Sequence, residues 1–502
     1  MPFSAYLDSV REDCRQLVEE LGKYFDYVSI LGTDVRATQY RADRNMSSIR
    51  DGEGECGFVI KMHSGRAFYE YSFDDIRNAG KAADAAAGQS APAGQSAAAG
   101  GSMPAPQGET ASAPASAAAL AAHIARSVKV AGELTARQIE AARVDDQPMK
   151  RDFVRETDFD AYTDEALLGV CREISESLSA KDDKVLNAIG ILQPYTVSKL
   201  FITKNRELSQ HYGWANGYAI AIYSDGKMVH ARHTEGSDKL AEVIQNTRAS
   251  LDGVIELARH LATAKPIEPG VYDVITDSSI TGLIAHEAFG HGVEMDQFVK
   301  DRALAKYCVG QYVASPITNM HDGAAATHSV ASYFFDDDGV LAQDTQIIKD
   351  GVLVAGLSDL ASATQLGTLP TGNGRRDNYR RKAYSRMTNT FFTPGTDTLE
   401  DMIASVKHGY MLFDTNNGME DPKNWQIQCT AEYGIEIVDG KLTDNYVSPV
   451  VMSGFVPDLL KSISMISGNF KIDGAGYCGK GYKEWVRVSD GGPNLKVRVK
   501  LG

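Results

Sequence analysis

Two histidines five residues apart, in the run His286-Glu287-Ala288-Phe289-Gly290-His291, constrain the local fold more than any other feature of the chain. Two neutral imidazoles can hold a zinc ion, and a carboxylate between them in sequence can take a proton from a bound water. The common HExxH arrangement puts its histidines at i and i+4, on one face of a helix. Here, at about 100° per residue, an ideal helix would carry His291 roughly 140° round from His286. Both side chains reach one metal only if the helix stops or loosens between them. Gly290 and Gly292 flank His291, and glycine allows a helix to end in a left-handed turn. We therefore expect His286 and Glu287 on a last helical turn that ends at Gly290, with His291 swung back from the loop behind it. The alternative is an ordinary helix C-terminus whose imidazoles bond to backbone carbonyls.

A catalytic zinc usually has three protein ligands and one open position. A third ligand must then come from outside the run. Spacing alone leaves Glu294, Asp296 or a distant Cys or His. Cys478 has the most suggestive context, because Asp473-Gly-Ala-Gly-Tyr-Cys-Gly-Lys480 is a glycine-rich loop in which backbone can approach a metal, and Lys480 would favour the thiolate. A structural free thiol accounts for the same residue.

The 502 residues leave room for two or three domains, and 43% hydrophobic with 23% charged residues is ordinary for a globular protein. Fifty-one basic against sixty-six acidic residues give a net charge of −15, which disfavours general attraction to nucleic acid or anionic membrane. No apolar run reaches the ~18 to 20 residues of a membrane span, and the first residues lack a basic region followed by an apolar core, so a cytoplasmic location is expected. The six cysteines form no CxxC pair. Reduced thiols are expected, five of them buried fillers.

Apolar positions Tyr6, Val10, Cys14, Leu17, Val18 and Leu21 predict one helix over residues 5–22. Extended runs follow at 25–31, 37–40, 57–62 and 67–71. Residues 85–116 collapse to Ala, Gly, Ser, Pro and Gln, too little apolar surface to repay ordering, and read as a flexible insertion between helix-prone flanks. Thr163 is the expected N-cap of a helix to Ala180, strands are expected at 187–202 and 217–232, the latter turned by Ser224-Asp225-Gly226, and a long helix at 237–262. Pro266 and Pro269 punctuate the chain there. The expected fold class is α+β: an N-terminal α+β domain over residues 1–264, and a C-terminal β-rich mixed-sheet domain over 267–502 that carries the histidine helix. In the second, Val271–Thr276 reads as a strand, Asp277-Ser278-Ser279 as a helix cap, Asp350-Gly351 and Asp439-Gly440 as turns, and 495–501 as a strand with one buried face.

A second polar region holds Arg375, Arg376, Arg380, Arg381 and Arg386 with Asn373, Asn378 and Asn389 within residues 371–390. Of these, Asn373, Arg375, Arg376, Arg386 and Asn389 are candidates to steady an oxyanion or grip a peptide backbone or carboxylate. Capping of turns and pairing with acidic groups is the competing explanation.

Four motifs, in order, now carry a resemblance: Thr281-Gly-Leu-Ile-Ala-His-Glu-Ala-Phe-Gly-His-Gly-Val-Glu294, Thr371-Gly-Asn-Gly-Arg-Arg376, Arg386-Met-Thr-Asn-Thr390 and Cys478-Gly-Lys480. Together they resemble the TldD/PmbA family, also known as modulators of DNA gyrase, over most of residues 267–485. The resemblance implies that His286, His291 and Cys478 bind one Zn²⁺ per catalytic subunit and that Glu287 is the general base of a metallopeptidase. TldD-like subunits carry HExxxH, whereas PmbA/TldE-like subunits lack it and serve as partners, so the chain resembles the TldD branch. Hydrolysis of unfolded or extended peptides is implied, within a homodimer or a heterodimer with a PmbA/TldE-like subunit. The rival expectation is a regulatory protein that docks on a toxin or topoisomerase and uses its metal for structure. Two departures stand out: Asn416-Asn-Gly-Met-Glu-Asp-Pro422 replaces the glycine-rich run ending in Val-Asp, and the insertion near residue 100 is atypical.

Overall fold

The computed structural model describes residues 2–64, 67–79, 116–133, 147–474, 476–481 and 484–502. The insertion expected at 85–116 lies outside the described residues apart from Ser116. A mixed α+β fold is seen, with three larger sheets.

The first sheet has eight strands, running in the order Ala67–Phe73, Glu55–Ser64, Tyr27–Asp43, Val185–Thr203, Arg206–Asp225 and Met149–Val154, with Ser47–Asp51 and Lys227–Ser237 attached to the third and fifth. Neighbouring side chains in these strands go to opposite faces. Ile30, Ile60, Leu200 and Ile202 join a core beneath the helices Arg11–Leu21 and Ala117–Glu133, while Leu31, Val59 and Phe201 join Phe335 on the other face. Burial on both sides explains why these segments read as continuous apolar runs. The helix Asp164–Lys181 is capped as expected, Thr163 accepting from the Ala166 amide. Gly226 turns the hairpin between the two long strands with φ 73°. Two expected helices are each broken once: residues 5–22 form Ala5–Ser9 and Arg11–Leu21 around Val10, and residues 237–262 form Leu240–Ala249 and Leu251–Thr263 around Ser250.

In the second half, His408–Asp421, Gly270–Thr276, Leu495–Leu501, Val450–Phe455 and Gln426–Val438 pair in that order, and the last pairs again with the first. Five strands thus close on themselves around Val274, Leu412, Val450, Leu495 and Val497. Leu495, Val497, Val499 and Leu501 are buried while Lys496, Arg498 and Lys500 point away, the alternation expected of a strand with one wet face. Asp439-Gly440 and Asp350-Gly351 both have positive φ, as two-residue hairpin turns require. A six-stranded sheet, which includes Met320–Asp322, Asn389–Phe392 and Ser489–Gly492, completes the platform on which the histidine helix lies. The six cysteines are free, but Cys56 is exposed and Cys308 half-buried, so the buried-filler expectation fits Cys14, Cys171 and Cys429.

Charge ties the first sheet to the later segment. Lys61 points to the face opposite Ile60 and pairs with the buried carboxylate of Asp338, which also accepts from the Leu360 amide at 2.9 Å. Lys199 pairs in the same way with Asp337. Removing one partner of a buried pair strands the other charge. Lys61→Met is expected to lower the free energy of unfolding in urea by about 3–5 kcal/mol, and Lys61→Met with Asp338→Leu to lose clearly less.

Candidate metal centre

Asp277 opens the site helix by accepting from the Ile280 amide at 2.7 Å, as the sequence suggests. Residues Ser278–Leu283 are α-helical, but Ile284–Gly290 widen into a π-helix, and His291–Val293 tighten into a 3₁₀ turn. The amide of His291 donates to the carbonyl of His286, an i→i+5 bond. The helix therefore does not end at Gly290, whose φ of −60° and ψ of −50° are right-handed helical. The expected left-handed stop is corrected: the extra residue is absorbed by a wider turn, which stacks residue i+5 over residue i as an α-turn stacks i+4. The two rings lie with centroids 5.1 Å apart.

Gly290 is needed for closeness instead of turning. A Cβ there would sit 2.1 Å from Met387 Sδ, and one on Gly282 would sit 2.5 Å from Asp490 Oδ1. The widened helix is pressed between the 387 segment and strand Ser489–Gly492.

Cys478 reaches the histidines from a two-stranded ribbon, Tyr477–Lys480 paired with Glu484–Arg487. Its Sγ lies 3.4 Å from His291 Nε2, and one ligand atom from each of His286, His291 and Cys478 falls within 4.8 Å of the others. Burial alone would raise the Cys478 thiol, but the two imidazoles outweigh it and hold it well below the usual range. Burial would lower His286, yet the sulfur and Glu287 lift it to about 9. His291 Nδ1 faces Glu294 Oε2 at 3.1 Å, and His286 Nδ1 lies 3.6 Å from Asp490 Oδ2. Glu294 thus stands behind His291 as a hydrogen-bonded carboxylate, the usual support of a metal-binding histidine, whereas Asp490 faces His286 without a hydrogen bond. Glu294, Asp296 and Cys478 were left open by spacing; the first two stand behind the donors, with Lys480 bridging Glu294 at 2.9 Å and pairing with Asp296. Two nitrogens and one thiolate, buried and convergent, form a donor set that suits zinc, and the acidic groups around them suit a dication.

Glu287 is half-buried beside His286, with Gly418 across from it; a Cβ on Gly418 would lie 2.4 Å from Glu287 Cγ. Glu420, two residues on, was missed by sequence reasoning. Both its carboxylate oxygens are buried without a hydrogen-bond partner among the described residues, and burial holds its pKa well above the usual carboxylate range. A Cβ on Gly292 would meet Glu420 Oε1 at 2.7 Å. The signal was an acidic residue in the run that departs from the family pattern.

The 371–390 region is spent largely on its own chain. Asn373 donates to Asp322 Oδ1 at 2.7 Å and to the Arg386 carbonyl at 3.0 Å. Asn389 donates to the Gly323 and Thr327 carbonyls and to Ser332 Oγ. Arg386, fully buried, donates to the Cys478 carbonyl at 2.7 Å and the Glu484 carbonyl at 3.4 Å, and so holds the ribbon that presents the thiol. Arg375 donates to the Met387 carbonyl at 2.6 Å, and Arg376 pairs with Glu70 at 3.3 Å. Arg375 and Arg376 also line a neighbouring cavity.

Residues 269–500 match the PmbA/TldA metallopeptidase C-terminal domain. A metalloprotease of Synechocystis is 30% identical over 66% of this chain and 71% of its own length. A zinc metalloprotease TldD homolog of Saccharolobus solfataricus is 28% identical over 64% of this chain and 74% of that protein. The metalloprotease TldD homolog of Haemophilus influenzae is 33% identical, but the match spans only 45% of this chain and 47% of that one. Among solved structures, TldE from Thermococcus kodakarensis superposes with TM-score 0.72 at 16% identity, over 98% of this chain and 100% of its own, which shows a shared fold.

Two outcomes test the site. Glu294→Gln is expected to weaken zinc affinity about 10–100-fold, read by competition with a chelating dye. Gly290→Ala is expected to cost about 1–3 kcal/mol of stability through overpacking, measured by denaturant titration, and to lower zinc content with it.

Proposed function

Since the chain belongs to the TldD/PmbA metallopeptidase family, we propose that it is a zinc-dependent hydrolase of peptide bonds in unfolded or extended peptides. The convergence of His286, His291 and Cys478 beside Glu287 is the observation that carries this reading. Zinc, when bound, supplies a water acidified toward neutral pH and a Lewis acid for the scissile carbonyl. His286, His291 and Cys478 would hold it, with Glu294 orienting the His291 imidazole from behind. Glu287 takes the proton of the attacking water and later delivers it to the leaving amine. Gly418 supports this role, because any side chain there would occupy the volume of the Glu287 carboxylate. Within the 371–390 region, Arg375 and Arg376 are the residues we place along the path of the peptide, since both border an open cavity. Asn373, Arg386 and Asn389 support the site walls from inside.

As the family resemblance implies, we place the chain in a dimer, of two copies or with a TldE-like subunit; TldE itself shares the fold. Among the described residues no helix is long and apolar enough to cross a membrane.

Glu287→Gln is expected to keep its zinc and lose about 10²–10⁴-fold in turnover of a reduced, unfolded protein substrate. Cleavage at the unaltered rate would overturn the mechanism. Cys478→Ala is expected to lose most of its zinc by atomic absorption, and activity with it. Stoichiometric zinc without chelator-sensitive proteolysis, even with a TldE-like subunit added, would favour the regulatory rival.

A further inference from the structure

The ribbon that carries Cys478 has a second face. Tyr477 pairs with Arg487, and Gly479 with Trp485. Side chains alternate along a strand, so Tyr477, Trp485 and Arg487 turn away from the metal donors. They line a cavity of about 470 Å³ whose far wall is the first sheet, including Tyr195 and Trp214. Tyr195 and Trp214 are register partners whose rings stack at 5.1 Å. A volume of this size with partly aromatic walls suits a small ligand; Glu53, Glu55, Asp336, Asp337 and Asp377 also border it.

Arg487 is the unusual element. It is 5% exposed, and its guanidinium lies 4.9 Å from the Tyr477 ring centre and 5.9 Å from that of Trp214. Its Nη2 donates to two neutral oxygens, Asn216 Oδ1 and the Gly474 carbonyl. Its Nε and Nη1 are buried with no partner among the described residues, and so is Trp214 Nε1. Of the other cations bordering the cavity, Lys199 pairs with Asp337, Arg376 pairs with Glu70, and Arg375 donates to the Met387 carbonyl. Burial pulls the Arg487 guanidinium below its usual value, against the opposing influence of Tyr477, Tyr218 and Asp473. Three buried donors without a partner, on residues that line the cavity, call for an acceptor-rich group, and the aromatic walls call for an apolar body attached to it.

We propose that this cavity is a subsite for a carboxylate carried on an apolar or aromatic peptide residue, with Arg487 as the anion-binding group and Tyr195, Trp214 and Tyr477 as its walls. The peptide class of the ligand rests on the peptidase reading; the cation and cavity do not. The subsite shares the ribbon with the metal centre, since Tyr477 and Cys478 are adjacent residues on its opposite faces.

The test measures binding, so that it stands apart from catalysis. Full-length Glu287→Gln protein is titrated by calorimetry, and by the fluorescence of Trp214 and Trp485, with three probes: N-acetyl-Phe-Phe as the free acid, the same dipeptide as its amide, and N-acetyl-Glu-Phe amide. A carboxylate probe is expected to bind about tenfold or more tightly than the neutral amide, since hydrogen bonds to charged groups contribute about 1.5–3 kcal/mol. Preference for the first probe assigns a C-terminal carboxylate, and preference for the third an acidic side chain. Arg487→Gln should erase the preference while the neutral amide binds as before. Equal binding of all three probes, or a preference that survives Arg487→Gln, overturns the proposal. If Arg487→Gln does not fold, Trp214→Leu replaces it and should weaken all three probes together; unchanged binding overturns the aromatic walls. A protein that shows the preference but cleaves no peptide with Glu287 intact would overturn the peptidase reading and leave the subsite standing.

Discussion

A single backbone hydrogen bond, from the His291 amide to the His286 carbonyl, sets the geometry on which the site depends. In an α-helix the two imidazoles would diverge; one i→i+5 turn brings them together without ending the helix. Such turns are rare because their packing is poor along the axis, so neighbours must hold this one. Gly282 and Gly290 let strand Ser489–Gly492 and Met387 approach to distances that any side chain would forbid. The buried residues Ala285, Ala288 and Phe289 anchor the inner side of the turn in the large core. The widened turn is thus a property of the surrounding sheets as much as of the seven residues in it.

The thiolate end of the site is held differently, by charge. Arg386 grips the ribbon by its carbonyls at Cys478 and Glu484, and Lys480 ties the same ribbon to Glu294, Asp296 and the Ser385 carbonyl. Glu294 in turn supports His291. Burying so many ionised groups is costly unless each finds a partner, and the chain meets that condition with long-range pairs between segments far apart in sequence. A local hairpin is marginal in water by itself; these contacts make this one a fixed arm.

How much of this was legible in the sequence depended on the range of the interaction involved. Caps and turns, such as Thr163, Asp277, Gly226 and Asp439-Gly440, were readable because they satisfy backbone groups a few residues away. His286, Glu287 and His291 were readable because their spacing was wrong for the ordinary motif. Cys478 rested on the family resemblance, and the structure brings it to the two histidines. The widened turn was not legible: residue spacing required a loosened helix, and glycine suggested a stop, but the choice between a stop and a π-turn lay in Met387 and Asp490, which only the fold brings near. The roles within 371–390 were hidden for the same reason. Asparagines and arginines that satisfy buried carbonyls look, in sequence, like those that meet a substrate. Glu420 was hidden because its burial comes from strand pairing that places it against Gly292.

The ribbon joins two chemical environments that a single strand period keeps apart. On one face, a thiolate beside two imidazoles needs shielding from water and a rigid support, which the buried Arg386 and Lys480 give. On the other, Tyr477, Trp485 and Arg487 border an open cavity against the first sheet. The two halves of the molecule therefore meet not only through the Lys61–Asp338 and Lys199–Asp337 pairs but through the wall that carries a candidate metal donor. A one-residue slip in the ribbon register would exchange the faces, sending Cys478 into the cavity and Tyr477 toward the histidines. The carbonyl bonds from Arg386 oppose that slip directly, because they fix which carbonyls, those of Cys478 and Glu484, stand over the guanidinium. Register, the geometry of the candidate metal centre and the cavity wall are consequently one constraint, enforced by buried Arg386 together with Lys480.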